Sequence, residues 1–220
     1  MLDNDIIESF RSRAEARGIG YQTAGSMPVP LCIDVRREMD YFKTIRTWIE
    51  QDAMRMEALA IARALDLPDW CLAAGFVRNL VWDRLHEFKS PTNLNDIDLI
   101  YFDSMKPHEA IDRELENRLQ TTSKLPWSVK NQARMHKRNS DNPYSSTEDA
   151  MSYWVEAETA VGATLSAGGE IEILAPLGID LLFQYTITPN IKRVKPTQFA
   201  QRIKEKRWLE IWPKLEVNYA

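Results

Sequence analysis

Asp96 and Asp98 alternate within the run NDIDLIYFD, residues 95–103. In a strand, residues two apart share a face, so the two carboxylates project together while Ile97 and Leu99 turn the other way into a core. Carboxylates held side by side repel, and each raises the other's pKa. A hard divalent cation resolves that conflict, because Mg²⁺ takes one or two carboxylates and fills its shell with water and phosphate oxygens. The pair reads as a site for Mg²⁺, with Mn²⁺ as a substitute. It suits phosphoryl-group chemistry, in which metal ions serve both the attacking oxygen and the leaving phosphates.

Upstream, LAAGFVRN (72–79) places Gly75 between an apolar stretch and a helical pattern. A glycine leaves the backbone open to a phosphate, and the first N–H groups of a helix favour an anion. Arg78 adds a fork that fits phosphate oxygens. Gly75, Phe76, Arg78 and Asn79 are thus the nucleotide-binding candidates on this turn. Each piece alone is weak. A lone D-x-D is more often a strand end or an ion-pair partner, and Trp82-Asp83 reads equally as a core anchor. The order strand, glycine, helix, loop, strand with D-x-D is what carries the reading. A further polar stretch, KNQARMH (130–136), has two readings. Asn131 and Gln132 pair with a base edge while Arg134 and His136 meet phosphate, or the stretch is a buried polar network that fixes a bend.

The elements that must position these groups are legible from pattern. Residues 35–66 read as one long helix with an apolar stripe through Tyr41, Ile45, Ile49, Ala53, Met56 and Ala60. Pro68 lies beyond its end. WCLAAG is a short strand and 76–88 a helix with Val77, Leu80, Val81 and Leu85 on one face. Residues 89–95 are a loop and 96–103 a strand. A helix over 107–120 takes Pro107 into its first turn, and LPWSVKNQ is a further strand. SSTEDAMSYW (145–154) has a helix-start signature. AVGATLSAGGEIEIL is a hairpin, PLGIDLLFQ a short helix or turn, and 196–212 a closing helix. GSMPVP (25–30) is a loop, and residues 1–33 form an appendage to a domain over 34–220.

Composition narrows the class. The chain has 220 residues, 44% hydrophobic and 27% charged, a globular balance with enough length for a sizeable core. No apolar run suggests a membrane span, and MLDNDIIESFRSRAEARG lacks a signal-peptide core, so a cytoplasmic location is expected. Cys32 and Cys71 form no metal or redox motif, and His86, His108 and His136 have no ligand spacing. The net charge of −4 argues against wholesale electrostatic capture of nucleic acid. The cations are nonetheless clustered. Lys124 to Arg138 contains no acid, and the tail carries Lys192, Arg193, Lys195, Arg202, Lys204, Lys206 and Arg207. Either run alone is a solvated face; two of them around a carboxylate pair suit a phosphate substrate.

GFVRN followed by NDIDLIYFD resembles the polymerase β-type nucleotidyltransferase superfamily, in the order seen in the heads of CCA-adding enzymes. A closer resemblance is to a bacterial nucleotidyltransferase-like family with no assigned substrate, through LPDWCLAAGFVRNLVWDRLH, NDIDLIYFD, VKNQARMH, ETAVGATL, APLGIDLLF and KRWLEIWP, spanning 67–213. The resemblance implies an α/β (α+β) fold, a small mixed sheet flanked by helices with an N-terminal helical extension. It implies that Gly75 belongs to the nucleotide-gripping turn and Asp96 and Asp98 to the metal site. Ala74 stands where relatives have a first glycine, and Asn79 where tRNA-modifying relatives have an acid. A third carboxylate from a neighbouring strand is expected just before VKNQ, where this chain has Ser128. Glu172 and Asp180 are the remaining candidates; Asp180 ranks first and completes a catalytic set with Asp96 and Asp98. The function implied is Mg²⁺-dependent transfer of a nucleoside monophosphate from an NTP to an acceptor (small molecule, RNA or protein), with release of pyrophosphate. The alternative is a degenerate module that binds nucleotide or a protein partner without turnover.

Overall fold

The structure, a computed structural model, describes residues 29–219, with side chains from residue 37 onward. Two helices, α1 (Val29–Glu50) and α2 (Ala53–Arg63), stand where one was expected over 35–66. Asp52 makes the break: its backbone is extended, and its carboxylate accepts the Arg55 N–H as an N-cap. A capped start outweighs a continuous apolar stripe. The first helix also begins earlier than expected, inside GSMPVP, with Pro30 in its first turn, where a missing N–H costs nothing. The rest of the 1–33 appendage lies outside the described residues. The chain divides into two units between Tyr41 and Phe42, and of the first only residues 29–41 are described. In the first, Arg37 donates to the Tyr41 hydroxyl at 2.7 Å, one helical turn away.

The second unit is built on five strands. In chain order these are β1 (Cys71–Ala73), α3 (Gly75–Leu85), β2 (Ile97–Tyr101), α4 (Glu109–Thr122), β3 (Trp127–Asn131), α5 (Met135–Asn139), α6 (Thr147–Met151), β4 (Gly162–Leu165) and β5 (Ile171–Leu174). The sheet order is β3-β2-β1-β4-β5. The β2–β3 pair is parallel and the other three pairs are antiparallel, so the sheet is mixed, as expected. β1 is central and wholly buried. A Cβ on Gly162 would come within 2.7 Å of the Cys71 sulfur, so β4 can lie against β1 only because position 162 has no side chain. The helix after Pro107 starts two residues later than expected, at Glu109 behind His108.

The sequence suggested one apolar face for α3, yet Phe76 through Asp83 are all buried. A helix covered all round is a core element. Its outer face is covered by the C-terminal segment. The expected helix over 196–212 breaks at Arg207, which is left-handed (φ 53°), into α7 (Pro196–Lys206) and α8 (Trp208–Ile211). The break turns two tryptophans onto Trp82: Trp208 with ring centres 5.8 Å apart and Trp212 at 5.1 Å, both edge-on. Trp212 Nε1 also donates to Asp83 at 2.8 Å. A short parallel pair, β6 (Thr186–Ile187) and β7 (Glu216–Val217), ties down the tail and had no pattern to announce it.

Candidate active site

Strand register brings the two halves of the site together. Ala73 is the cross-strand partner of Asp98, and Ala73 leads directly into the Ala74-Gly75 turn. Asp98 therefore lies beside the mouth of α3. On its other side Asp98 is opposite Ser128 of β3, whose hydroxyl lowers its pKa. Asp98 is half-buried and its pKa is raised, first by burial and then by the charge of Asp96. Ser128, Lys206 and Arg78 act in the opposite direction. Asp96 is exposed and sits just before β2. The charge of Asp96 acts on Asp98 from outside the strand.

The turn itself is strained. Ala74 adopts φ 55°, ψ −118°, a region that favours glycine. Its N–H is fixed by Val161 O at 2.8 Å, and its carbonyl accepts from Val77 and Arg78. No side chain caps α3, so its first N–H groups have no cap from Ala74. The Phe76 ring is fully buried, so only its backbone can serve a ligand. That backbone is held from behind: buried Arg55 donates Nε to Phe76 O at 2.8 Å and pairs with Asp52.

Arg78 occupies the centre of the electrostatics. It is 7% exposed and lies over the rings of Trp82 (5.0 Å) and Trp208 (4.6 Å). It donates to Thr159 Oγ1 at 2.8 Å and to Asn79 Oδ1 at 2.9 Å, while its Nε is buried without a partner. Asn79 thus orients Arg78 where an acid would have neutralised it. Burial lowers the Arg78 pKa to about 10, and Glu156, Asp98 and Glu158 pull against that shift without forming an ion pair among the described residues. Arg78 stays cationic at neutral pH and still has charge to give.

Ala74, Asp98 and Thr159 line a cleft of about 250 Å³, while Gly75, Phe76, Arg78, Asn79 and Asp96 are not among its lining residues. Lys130, Arg138, Lys195 and Arg202 make its walls basic, and Tyr153 and Trp154 contribute aromatic surface. The candidates Asn131, Arg134, Asp180 and Glu172 lie elsewhere. Asn131 is fully buried, with its amide oxygen accepting from Asp103 and Ala133 and its nitrogen donating to Asp103 and Lys106 carbonyls. Arg134 pairs with Asp112, which also accepts from Tyr101 and the Asn131 N–H. Around Asn131 and Arg134 the KNQARMH stretch is therefore built as the buried network that fixes a bend, the second of its two readings, while Lys130, Gln132 and Met135 line the cleft. Asp180 begins the 3₁₀ turn Asp180–Phe183 and is not among the cleft residues. Glu172 is exposed on β5, with β1 and β4 between it and β2.

Sequence reasoning missed Glu156 and the aromatic pair Tyr153-Trp154. Glu156 is 1% exposed and takes a two-pronged contact from Arg202, at 2.6 and 3.1 Å. The signal was present in SYWVEAET (152–159), where two aromatics and two acids adjoin within eight residues. No period or motif singled it out. Among the described residues no group of three or more His, Cys, Asp or Glu is preassembled for a metal ion. The carboxylate donors of Asp98 in the cleft and Asp96 two residues before it are of the kind Mg²⁺ takes, with water and phosphate filling the rest of its shell.

A family model described as nucleotidyltransferase matches residues 60–217. The chain belongs to this nucleotidyltransferase family. The family and the fold support nucleotide transfer in general. This nucleotidyltransferase is similar to a solved structure described as revealing a CCA-adding enzyme head domain, at 31% identity and a TM-score of 0.72, covering 81% of this chain and 96% of that one. The five-stranded sheet with its helices is that head fold. Two structures of a tRNA-processing enzyme share 15% and 14% identity, with TM-scores of 0.44 and 0.45 over 73% of this chain. The nucleotidyltransferase spans 42% and 44% of their lengths. None of the curated proteins matches the sequence. No helix among the described residues is long and apolar enough to cross a membrane.

Proposed function

We propose that this chain transfers a nucleoside monophosphate from an NTP to an acceptor and releases pyrophosphate, with Mg²⁺ as the metal. The observation that carries the reading is the Ala73–Asp98 register, which sets a carboxylate beside the glycine turn in a basic cleft. Asp96 and Asp98 would hold the metal, which when bound supplies Lewis-acid charge for the reacting phosphate. The backbone N–H groups at Gly75 and Phe76 bind phosphate oxygens, helped by the dipole end of α3. Arg78 adds a fixed positive charge in a half-dry setting, where it counts for more than in water. Lys130 and Lys195 neutralise the triphosphate, and Trp154 and Tyr153 give the base a stacking surface. Asp180, Asn131 and Arg134 have no part in this reading. Catalysis is then positioning and electrostatics rather than covalent chemistry.

The proposal keeps residues 34–220 as the transferring domain, in the cytoplasm, and leaves the acceptor open among small molecule, RNA and protein. Its test is the full chain with each α-labelled NTP, Mg²⁺ and a clarified cell lysate, with labelled products resolved by size. A labelled product that disappears with EDTA and in Asp98→Asn supports the reading. No product with any NTP overturns it. A second reading, nucleotide binding without turnover, is favoured by one observation: the residue opposite Asp98 is Ser128 and not an acid. Metal-dependent NTP binding with no pyrophosphate released is its signature.

A further inference from the structure

Among the described residues that line the cleft, the carboxylates are Asp98 and Glu156. β3 offers Asp98 a hydroxyl from Ser128, and Asp180 and Glu172 lie away from the cleft. An acceptor hydroxyl entering beside Asp98 therefore has Glu156 as the remaining carboxylate within reach of the same space. Glu156 is held firmly. Its backbone bridges to Pro189, and both side-chain oxygens are gripped by Arg202. A buried carboxylate persists only when so paired. Its partner is itself a cleft residue, on the face of α7 that also presents Gln198, one turn away. A guanidinium fork fits phosphate as well as carboxylate, and a triphosphate carries more charge than one carboxylate.

We propose that Arg202 is a shared latch: it pairs with Glu156 in the nucleotide-free protein and moves onto the nucleotide's phosphates on binding, freeing Glu156 to accept the proton of the acceptor hydroxyl. The proposal rests on the nucleotidyl-transfer reading above. In the step, the acceptor oxygen forms a bond to the α-phosphorus as its proton passes to the Glu156 carboxylate. The bond from the α-phosphorus to the bridging oxygen breaks, and pyrophosphate leaves with the electron pair. The latch keeps the base neutralised until a nucleotide is present.

The experiment compares wild type, Glu156→Gln and Arg202→Gln as full chains, with Mg²⁺, the four ribonucleoside triphosphates and clarified lysate, following pyrophosphate. Glu156→Gln is expected to leave KM for NTP within about threefold and to lower kcat by about 100-fold or more, the usual range for a lost general base. The acid limb of the wild-type pH profile is expected to flatten in this variant. Arg202→Gln is expected to raise KM by more than about tenfold, the loss of a charged phosphate contact, and to cost kcat less than Glu156→Gln does. If Glu156→Gln does not fold, Glu156→Gln with Arg202→Gln restores a neutral pair of similar size and is expected to show the same loss of kcat. Wild-type kcat in a folded Glu156 variant overturns the proposal. Equal losses of kcat and melting temperature in both single variants also overturn it, since they mark a purely structural pin. If the wild type itself releases no pyrophosphate, it is the nucleotidyl-transfer reading that has failed.

Discussion

Ser128 stands opposite Asp98 in the parallel β2–β3 register, and its hydroxyl acts to lower the Asp98 pKa. The two strands that ought to share the acidic load therefore share it unequally: one supplies a charge and the other a hydroxyl that stabilises the charge. Placing an acid at 128 completes the set on adjacent strands. Ser128→Asp is expected to tighten Mg²⁺-dependent NTP binding by about tenfold, and to lower thermal stability without metal by about 1 kcal/mol through like-charge repulsion. Calorimetric titration of Mg²⁺–NTP and melts with and without Mg²⁺ check both halves.

Asp98→Asn should act in the opposite sense on stability. A raised carboxyl pKa means that ionisation opposes folding: the stability is fully present below the unfolded pKa of about 4 and is lost as pH rises through the folded value. The raised pKa of Asp98 comes from burial and Asp96. Removing the charge is expected to raise the metal-free melting temperature at pH 7 while abolishing Mg²⁺-dependent NTP binding. A variant that keeps metal-dependent affinity would remove Asp98 from the site.

Ala74→Gly tests the strain in the turn. Ala at φ 55°, ψ −118° occupies a conformation natural to glycine, at a cost of roughly 1–3 kcal/mol, against which glycine's extra unfolded-state freedom sets roughly 0.5–1 kcal/mol. The net expectation is a gain of about 1 kcal/mol in urea denaturation. A second methyl-free residue at the turn also widens the approach to the Gly75 N–H, so KM for NTP is expected to fall. A loss of stability would show that the strain assigned to Ala74 is not there.

Local patterns were enough to foresee the sheet strands and the β4–β5 hairpin, because each depends on alternation or turn chemistry close in sequence. The single long helices over 35–66 and 196–212 were misread for one reason. Neither break follows from helical periodicity: Asp52 caps a new helix start, and Arg207 turns left-handed between two helices. The burial of α3 on every side could not be read from its own residues, since Trp208 and Trp212 arrive from more than 120 positions away. Asn131 was misleading in the same way. A polar residue looks available until the backbone groups that saturate it, at Asp103 and Lys106, are in place.

The Asp112 network makes that distinction measurable. Asp112 is 1% exposed and gathers Tyr101, the Asn131 N–H and Arg134. Asp112→Ala leaves a largely buried guanidinium and two donors unpaired, a loss of about 3–5 kcal/mol. KM for NTP in the fraction that remains folded is expected to be unchanged. A specific rise in KM without loss of stability would return Arg134 to the nucleotide site.

Glu158 gives the protein a pH dependence of defined sign. Its carboxyl is nearly enclosed, and burial raises its pKa to about 7, against hydrogen bonds from the Thr188 N–H (2.9 Å) and the Thr186 hydroxyl (3.2 Å). Below the unfolded value of about 4.5 both states carry the proton and nothing is lost. Between there and pH 7 the unfolded chain releases its proton while the folded one holds it, so stability falls, by about 3 kcal/mol in all. Above pH 7 both are ionised and the loss is complete. Glu158→Gln keeps an oxygen for the Thr188 N–H and cannot ionise. Urea denaturation midpoints at pH 5 and pH 8 are expected to differ clearly in the wild type and much less in this variant, with Asp98 accounting for a residual slope of the same sign. An unchanged difference would mean that the Glu158 carboxyl ionises as freely in the fold as outside it, despite its burial against β6.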